Sequence, residues 1–562
     1  MLYADYAGSE ACRSCHSKEY ADWSTSPMHR MTRLAGAADD RAPFDGEAYT
    51  MGPDRVTMDR RGGERFMHLE SARAGDRLFR ITKIIGGRYR EDFAGLDVTS
   101  GAAPAGELIM PVSWLLYART WRYKGYSVMV PARPGLGAGP AWSVNCLPCH
   151  NTLPSLWMLY DDLFGPGAPA YQGSISDDLL PPTRSWPVVA TDAAGLAAAV
   201  RGEVARLGAV VPATLPLPSV LTRAMHATRT RLDAAALVEI GVGCEACHGG
   251  ARAHAEDPLV RPVFGVRSPL VRVGPAPPAA ASRAERINRA CARCHTVLFS
   301  HYPYTWEGAL RGGAAPGGSS INSGEARDFL LGGCAAAMSC ADCHDPHGED
   351  ARAKLAALGT LAGNALCVRC HSALASSAAV AAHTHHRPDG PGAVCLDCHM
   401  PRKNMGLDAR LTRYHRIGSP TDDARVLGDR PLECAACHPT SSVEALAGAM
   451  ERWWGRRYDR AILRDLYGDD LSAGVLAATL ARGKPHEVAA AIGLLAAGRV
   501  TSALPAILPA LWNDYPLVRY FAKRAIEEMT GTPLPLDVEA PADAIRAAVT
   551  TLRLSPPHPA PR

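Results

Sequence analysis

The chain has 562 residues, 47% apolar and 21% charged, with a net charge of +4. That composition suits a folded protein of several domains, and the 52 Gly and 44 Pro stay below the roughly 25–30% of disordered chains. No apolar run nears the roughly 18 residues of a membrane span, and no Lys/Arg block points to nucleic acid.

In chain order, residues 1–39 hold a first Cys-x-x-Cys-His motif at Cys12–His16. Residues 40–131 read as a small antiparallel β insertion. Val56-Thr-Met and Phe66-Met-His-Leu flank Arg61-Gly62-Gly63, a hairpin signal, and Leu78–Ile85 runs into Gly86-Gly87. Residues 132–440 hold seven more motifs; the Pro-, Gly- and Ala-rich stretches 130–140 and 262–280 read as connectors. Residues 441–562 contain no such motif and turn to helical periodicity, as in Glu487-Val-Ala-Ala-Ala-Ile-Gly-Leu-Leu-Ala-Ala with a Gly stop. There Asn513-Asp-Tyr-Pro-Leu-Val-Arg519-Tyr-Phe-Ala522 resembles the second helix of a HEAT-type repeat. Such a tail would dock a partner protein or cap the last of these motifs, and Trp453-Trp454, close behind it, favour a cap.

Sixteen of the 17 cysteines form eight copies of the motif: Cys12/Cys15/His16, Cys146/Cys149/His150, Cys244/Cys247/His248, Cys291/Cys294/His295, Cys340/Cys343/His344, Cys367/Cys370/His371, Cys395/Cys398/His399 and Cys434/Cys437/His438. This is the attachment signature of c-type haem: two thiols form thioethers to the porphyrin vinyl groups and the adjacent imidazole reaches the iron. Zinc sites do not require a His directly after the second Cys, and a disulfide framework would not repeat this spacing eight times. The cofactor expected is therefore eight covalently attached haems c. Their propionates would take the net charge of +4 to about −12.

A six-coordinate haem needs a second axial ligand. Of 20 His, eight are proximal, leaving His29, His68, His226, His254, His301, His347, His383, His385, His386, His415, His486 and His558. The last two lie in the motif-free tail, so ten candidates face eight irons. The expected distal ligands are His29, His226, His254, His301, His347, His383, His386 and His415. His254 and His347 follow shortly after proximal histidines, and the i, i+3 spacing prefers His383 and His386 over His385. His68 falls in the hairpin and reads as a surface residue, Met28 is an alternative to His29, and the unpaired Cys334 reads as a small buried residue. Irons with both axial positions filled move electrons rather than activate bonds, and without thioether ligation they are expected at low potential.

Cys395-Leu-Asp-Cys-His-Met-Pro-Arg with downstream His415 before Gly-Ser-Pro resembles the end of the haem core in the pentahaem nitrite reductase and hydroxylamine oxidoreductase superfamily. Cys244-Glu-Ala-Cys-His-Gly-Gly with His254, and Cys340-Ala-Asp-Cys-His-Asp-Pro-His-Gly, are similar to segments of related multihaem cytochromes. The resemblance implies closely stacked haems forming a continuous electron path over residues 1–440. It departs in one respect: no motif ends in the lysine that the nitrite reductases place at their active haem.

The fold class expected is mainly α with much irregular loop, comprising a multihaem cytochrome c core, the small β insertion and a HEAT-like helical C-terminal domain. The function expected is electron transfer along eight bis-His haems, in the periplasm or outside the cell. The alternative is an octahaem oxidoreductase acting on a small nitrogen or sulfur species at one five-coordinate haem. Partners expected are other cytochromes, a quinol-oxidising membrane complex or an outer-membrane conduit, with oligomers or filaments open and nucleic acid excluded. The opening Met1-Leu-Tyr-Ala-Asp-Tyr-Ala has neither a basic nor an apolar leader region, so a secretion leader is expected to be trimmed or upstream.

Overall fold

The computed structural model describes residues 1–36, 41–101, 106–124, 135–169, 171, 186–262, 264–274, 282–296, 304, 306–308, 324–348 and 351–551. The backbone divides into two compact units. One gathers Met1–Gly125, Arg133–Val297 and Ala335–Ala351, and the other Tyr126–Ala132, Leu298–Cys334 and Arg352–Arg562.

In the first unit the β region is larger than the small insertion expected. Its strands are β1 (Thr32–Leu34), β2 (Ala48–Met51), β3 (Asp54–Arg61), β4 (Glu64–Ser71), β5 (Gly75–Gly86), β6 (Arg90–Asp97), β7 (Glu107–Ile109), β8 (Val112–Leu115) and β9 (Thr120–Tyr123). Among the described residues they form one nine-stranded sheet in the order β2-β3-β4-β5-β6-β8-β9, with β1 on β5 and β7 on β6. The pairings are antiparallel. The hairpin sits where the sequence places it: Gly62 and Gly63 take φ of 57° and 86°, the left-handed pair that a two-residue turn matching strand twist requires. Alternate positions Val56, Met58, Met67 and Leu69 are fully buried, as a period of two dictates. They meet Phe44, Phe93 and Trp121, whose ring centroids lie 5.4–5.7 Å apart.

A second core in this unit joins the helices Ala193–Arg206 and Leu217–Thr230 to Trp142, Leu147, Leu156, Trp157 and Tyr160. Leu147 is the first variable residue of the second haem motif, so that motif is embedded in a side-chain core.

In the second unit, helices Val443–Trp454, Arg460–Tyr467, Val475–Arg482, Pro485–Ala497, Pro516–Thr530 and Ala542–Thr551 share one core with Met405, Tyr414, Val426, Leu432 and Ala435. The segment before Pro516 is broken into the short helices Leu504–Ile507 and Leu508–Trp512, because Pro505 and Pro509 cannot donate backbone hydrogen bonds. No described helix is long and apolar enough to cross a membrane.

Candidate haem sites

Spacing i, i+3, i+4 sets two sulfurs and an imidazole on one face of a helical turn. The motifs adopt such turns: the histidine N–H donates to the first cysteine carbonyl at His16, His150, His344, His371 and His438 over 2.9–3.1 Å. All 17 cysteines are free, so the thiols are not consumed as disulfides.

The sequence reads the eight motifs alike, and their turns are finished differently. The helices Cys244–His248, Arg283–His295 and Cys395–His399 carry both cysteines and the histidine. Cys15 and Cys370 instead fall in turns outside any helix and are exposed. Their N–H groups donate to the carbonyls of Cys12 and Cys367, three residues back, over 3.3 and 3.2 Å, the tighter closure of a 3-10 turn. Cys343 is half-buried and ends the helix Cys340–Cys343, leaving His344 extended. Cys437 is exposed as well, although burial of part of its surroundings pushes its thiol up. At Cys15, Cys343 and Cys370 the second attachment point therefore sits at the end of its turn. An accessible thiol still meets the need of a group that must reach a porphyrin vinyl carbon.

Among the described residues, four proximal imidazoles face a second imidazole. Ring centroids are 6.1 Å apart for His16 and His254, 6.1 Å for His248 and His347, 6.1 Å for His383 and His399, and 6.0 Å for His386 and His438. Two imidazoles on one metal, each with a metal–nitrogen bond of about 2.0 Å, would hold their centroids about 6 Å apart. The residues therefore fit an iron between them. His254 and His347 each face the proximal histidine of another motif, not the one they follow in sequence.

Hydrogen bonding sets the tautomers. Nδ1 of His254 lies 2.7 Å from the Val260 carbonyl, that of His386 2.6 Å from Thr384, that of His399 2.9 Å from Gly418 and that of His415 3.1 Å from Arg413. A carbonyl only accepts, so Nδ1 carries the proton and Nε2 keeps the lone pair that binds a metal. His68 is the reverse case: its Nε2 is 2.5 Å from Asp76 Oδ1, so that nitrogen is engaged. Burial lowers the basicity of His29, His248 and His399, and pushes His150 down to about 4, which keeps these imidazoles neutral.

Other candidates are placed as follows. His29 packs 4.1 Å from the Trp23 ring, and His226 is exposed on the helix Leu217–Thr230. His385 is stacked on Trp453 at 5.2 Å and meets Trp454 edge-on at 5.4 Å. Trp454 Nε1 also donates to the His383 carbonyl over 2.9 Å, so this tryptophan pair fixes the turn that carries His383 and His386. His301 and His558 lie outside the described residues. Cys334 is half-buried, and burial pushes its thiol up, away from thiolate chemistry.

Motifs also touch one another. The thiols of Cys12 and Cys244, Cys149 and Cys294, Cys291 and Cys340, and Cys367 and Cys395 lie near enough to perturb one another's titration. Glu245, a variable residue of the third motif, is buried and accepts from the backbone N–H of Ala7, Gly8 and Ala251 over 2.6–3.1 Å. It ties the chain leading into the first motif onto the third.

Sequence reasoning missed a buried ionic cluster in the second unit. Asp429, His486 and Glu487 hold their ligand atoms within 4.8 Å of one another. Lys403 already pairs with Asp429 and Arg430 with Glu487, so the carboxylates are neutralised by the chain's own cations. The His486 ring packs 4.4 Å from Trp306. The cluster is a structural joint, and no motif could have announced it.

Residues 333–376, which span the motifs at Cys340 and Cys367, match the family described as the doubled CXXCH motif. No curated protein matches the chain. Among solved structures it is similar to the outer cell wall cytochrome OcwA, with 15% identity and a TM-score of 0.41 over 93% of this chain and 100% of that one. The motifs and the family match define a multihaem c-type cytochrome, a protein of electron transport with covalently bound haem.

Proposed function

We propose that the chain carries eight haems c, each held by two histidines, and relays electrons between redox partners outside the cytoplasm. The observation that carries this reading is the set of four imidazole pairs about 6 Å apart. In it His254 serves the iron held by His16, His347 that of His248, His383 that of His399 and His386 that of His438. His29, His226, His301 and His415 are the candidates for the irons held by His150, His295, His344 and His371. The bound haems supply reversible one-electron chemistry. The chain's own residues fill both axial positions, fix the tautomers through carbonyl acceptors and hold neighbouring motifs in contact. All eight motifs end in histidine, unlike the lysine-bearing active haem of the nitrite reductases the sequence resembles. Thioether attachment of haem takes place outside the cytoplasm, which sets the proposed location. Other cytochromes, a quinol-oxidising membrane complex or an outer-membrane conduit are the proposed partners.

A second reading rests on the narrow ligand supply: with His68 engaged by Asp76 and His385 packed against two tryptophans, eight candidates face eight irons, and the loss of any one leaves an iron open. One open iron would make the protein an oxidoreductase for a small nitrogen or sulfur species.

Electron paramagnetic resonance of the oxidised protein, with denaturing mass spectrometry, tests both. The relay predicts eight haems, all low-spin. A high-spin component in the native protein would overturn it in favour of the enzyme. In the relay, His347→Ala creates one carbon-monoxide-binding haem per molecule with all eight still attached, and an unchanged spectrum would remove His347 from the ligand set.

A further inference from the structure

Three polar residues stand at the same place in three motifs. Ser9, Asn288 and Asn364 each lie three residues before a first cysteine, at Cys12, Cys291 and Cys367. Each reaches across to a different motif. The backbone N–H of Cys244 donates to Ser9 Oγ, that of Cys340 to Asn288 Oδ1 and that of Cys395 to Asn364 Oδ1, all over 2.9 Å.

The receiving cysteine opens a short helix in every case. Its N–H has no partner within that helix and needs an outside acceptor. The asparagines close the clasp from the other side as well. Asn288 Nδ2 donates to the Met338 carbonyl over 2.9 Å and Asn364 Nδ2 to the Ala393 carbonyl over 2.8 Å, each two residues before the cysteine it holds. Ser9 has no amide, and its hydroxyl instead donates to Glu239 Oε2 over 2.5 Å.

The sequences around the two asparagines repeat. Asn288-Arg-Ala-Cys-Ala-Arg-Cys-His and Asn364-Ala-Leu-Cys-Val-Arg-Cys-His grip Cys340-Ala-Asp-Cys-His and Cys395-Leu-Asp-Cys-His. In all three clasps the thiols of the two first cysteines lie near one another. Those sulfurs are the attachment points of the porphyrins, so each clasp fixes the corresponding edges of two haems beside one another.

We propose that Ser9, Asn288 and Asn364 are positioning residues that lock the haems into three coupled pairs: those on Cys12 and Cys244, on Cys291 and Cys340, and on Cys367 and Cys395. Partnership is set by the clasp and not by order in the chain, since the first pair skips a motif. The doubled-motif match joins Cys340 to Cys367 by sequence adjacency, whereas the clasps join each of these to a different partner. The inference rests on the proposed eight-haem relay.

The test is made on the oxidised holoprotein, with denaturing mass spectrometry for haem count and paramagnetic resonance for coupling. Neighbouring ferric haems locked together couple magnetically and lose their isolated low-spin signals. Asn364→Leu removes acceptor and donor; it should keep eight low-spin haems and release the isolated signal of two haems per molecule. Asn364→Ser restores the acceptor as Ser9 provides it, and should retain the coupling. Should the leucine variant fail to attach its haems, the serine variant still decides. Loss of coupling in the serine variant, or full coupling in a correctly loaded leucine variant, overturns the clasp. A wild-type count below eight overturns the relay reading on which it rests.

Discussion

Two stretches of the second unit solve the problem of burial in opposite ways. From 352 to 392, around the motif at Cys367, no residue is buried, and Leu361 is 40% exposed. In the helix Pro485–Ala497, nine of thirteen residues are buried, with Ile492 wholly enclosed. Both stretches are rich in alanine and leucine, so composition does not explain the difference. The tail helices repeat an apolar face that other helices can cover. The motif segment instead consists of short turns whose geometry serves two thiols and an imidazole, and its side chains are too small and too scattered to enclose one another. The porphyrin is the apolar body its geometry suits.

The strongest way to break this comparison is to remove one attachment. Cys367→Ala/Cys370→Ala should remove one haem by denaturing mass and abolish amide protection through 352–392. Hydrogen exchange in Pro485–Ala497 and Pro516–Thr530 should stay slow. Equal loss in both stretches would mean that the tail, too, depends on haem for its core.

The converse experiment attacks the tail. Phe521 is 1% exposed within the helical core, and Phe521→Ala should cost about 3–5 kcal/mol through lost transfer and a cavity. Denaturant unfolding followed at the tail should show that loss while the haem count remains unchanged. A comparable shift in the visible haem spectrum would show the two stretches to be energetically one.

The sheet of the first unit gives the smallest and most local test of a haem-free region that supports itself. Asp92, on β6, is buried. Burial alone would raise its pKa, but Arg90, Lys124 and the Ser113 hydroxyl outweigh burial and hold it below the usual carboxylate range. A depressed carboxylate contributes stability above its unfolded value of about 3.9, and that contribution fades as pH falls through the window below it. Acid titration followed by circular dichroism should therefore show the sheet weakening below about pH 4. Asp92→Asn should be less stable at neutral pH and lose much of that acid dependence. An unchanged slope would remove Asp92 as its source.

The sequence by itself determined whatever depends on neighbours within a few residues. Cys-x-x-Cys-His is a local device, since its three reactive groups share one face of a single turn, and eight copies are legible without any fold. What the spacing did not show is how each turn is finished: Cys15 and Cys370 end exposed turns, whereas Cys247 and Cys398 lie within helices. The Gly62-Gly63 hairpin and the tail helices are legible because turn chemistry and apolar period are local too. The strands β1 and β7, three residues each, are too short to show a period and were not legible. Only the tertiary structure decided which imidazole faces which. His254 lies next to His248 in sequence and yet faces His16, and His347 passes over His344 to face His248. The same holds for Ser9 and its clasp on Cys244, 235 residues away. Such partnerships arise from how distant turns pack, and a histidine or a serine carries the same side chain whether it meets a distant motif or water.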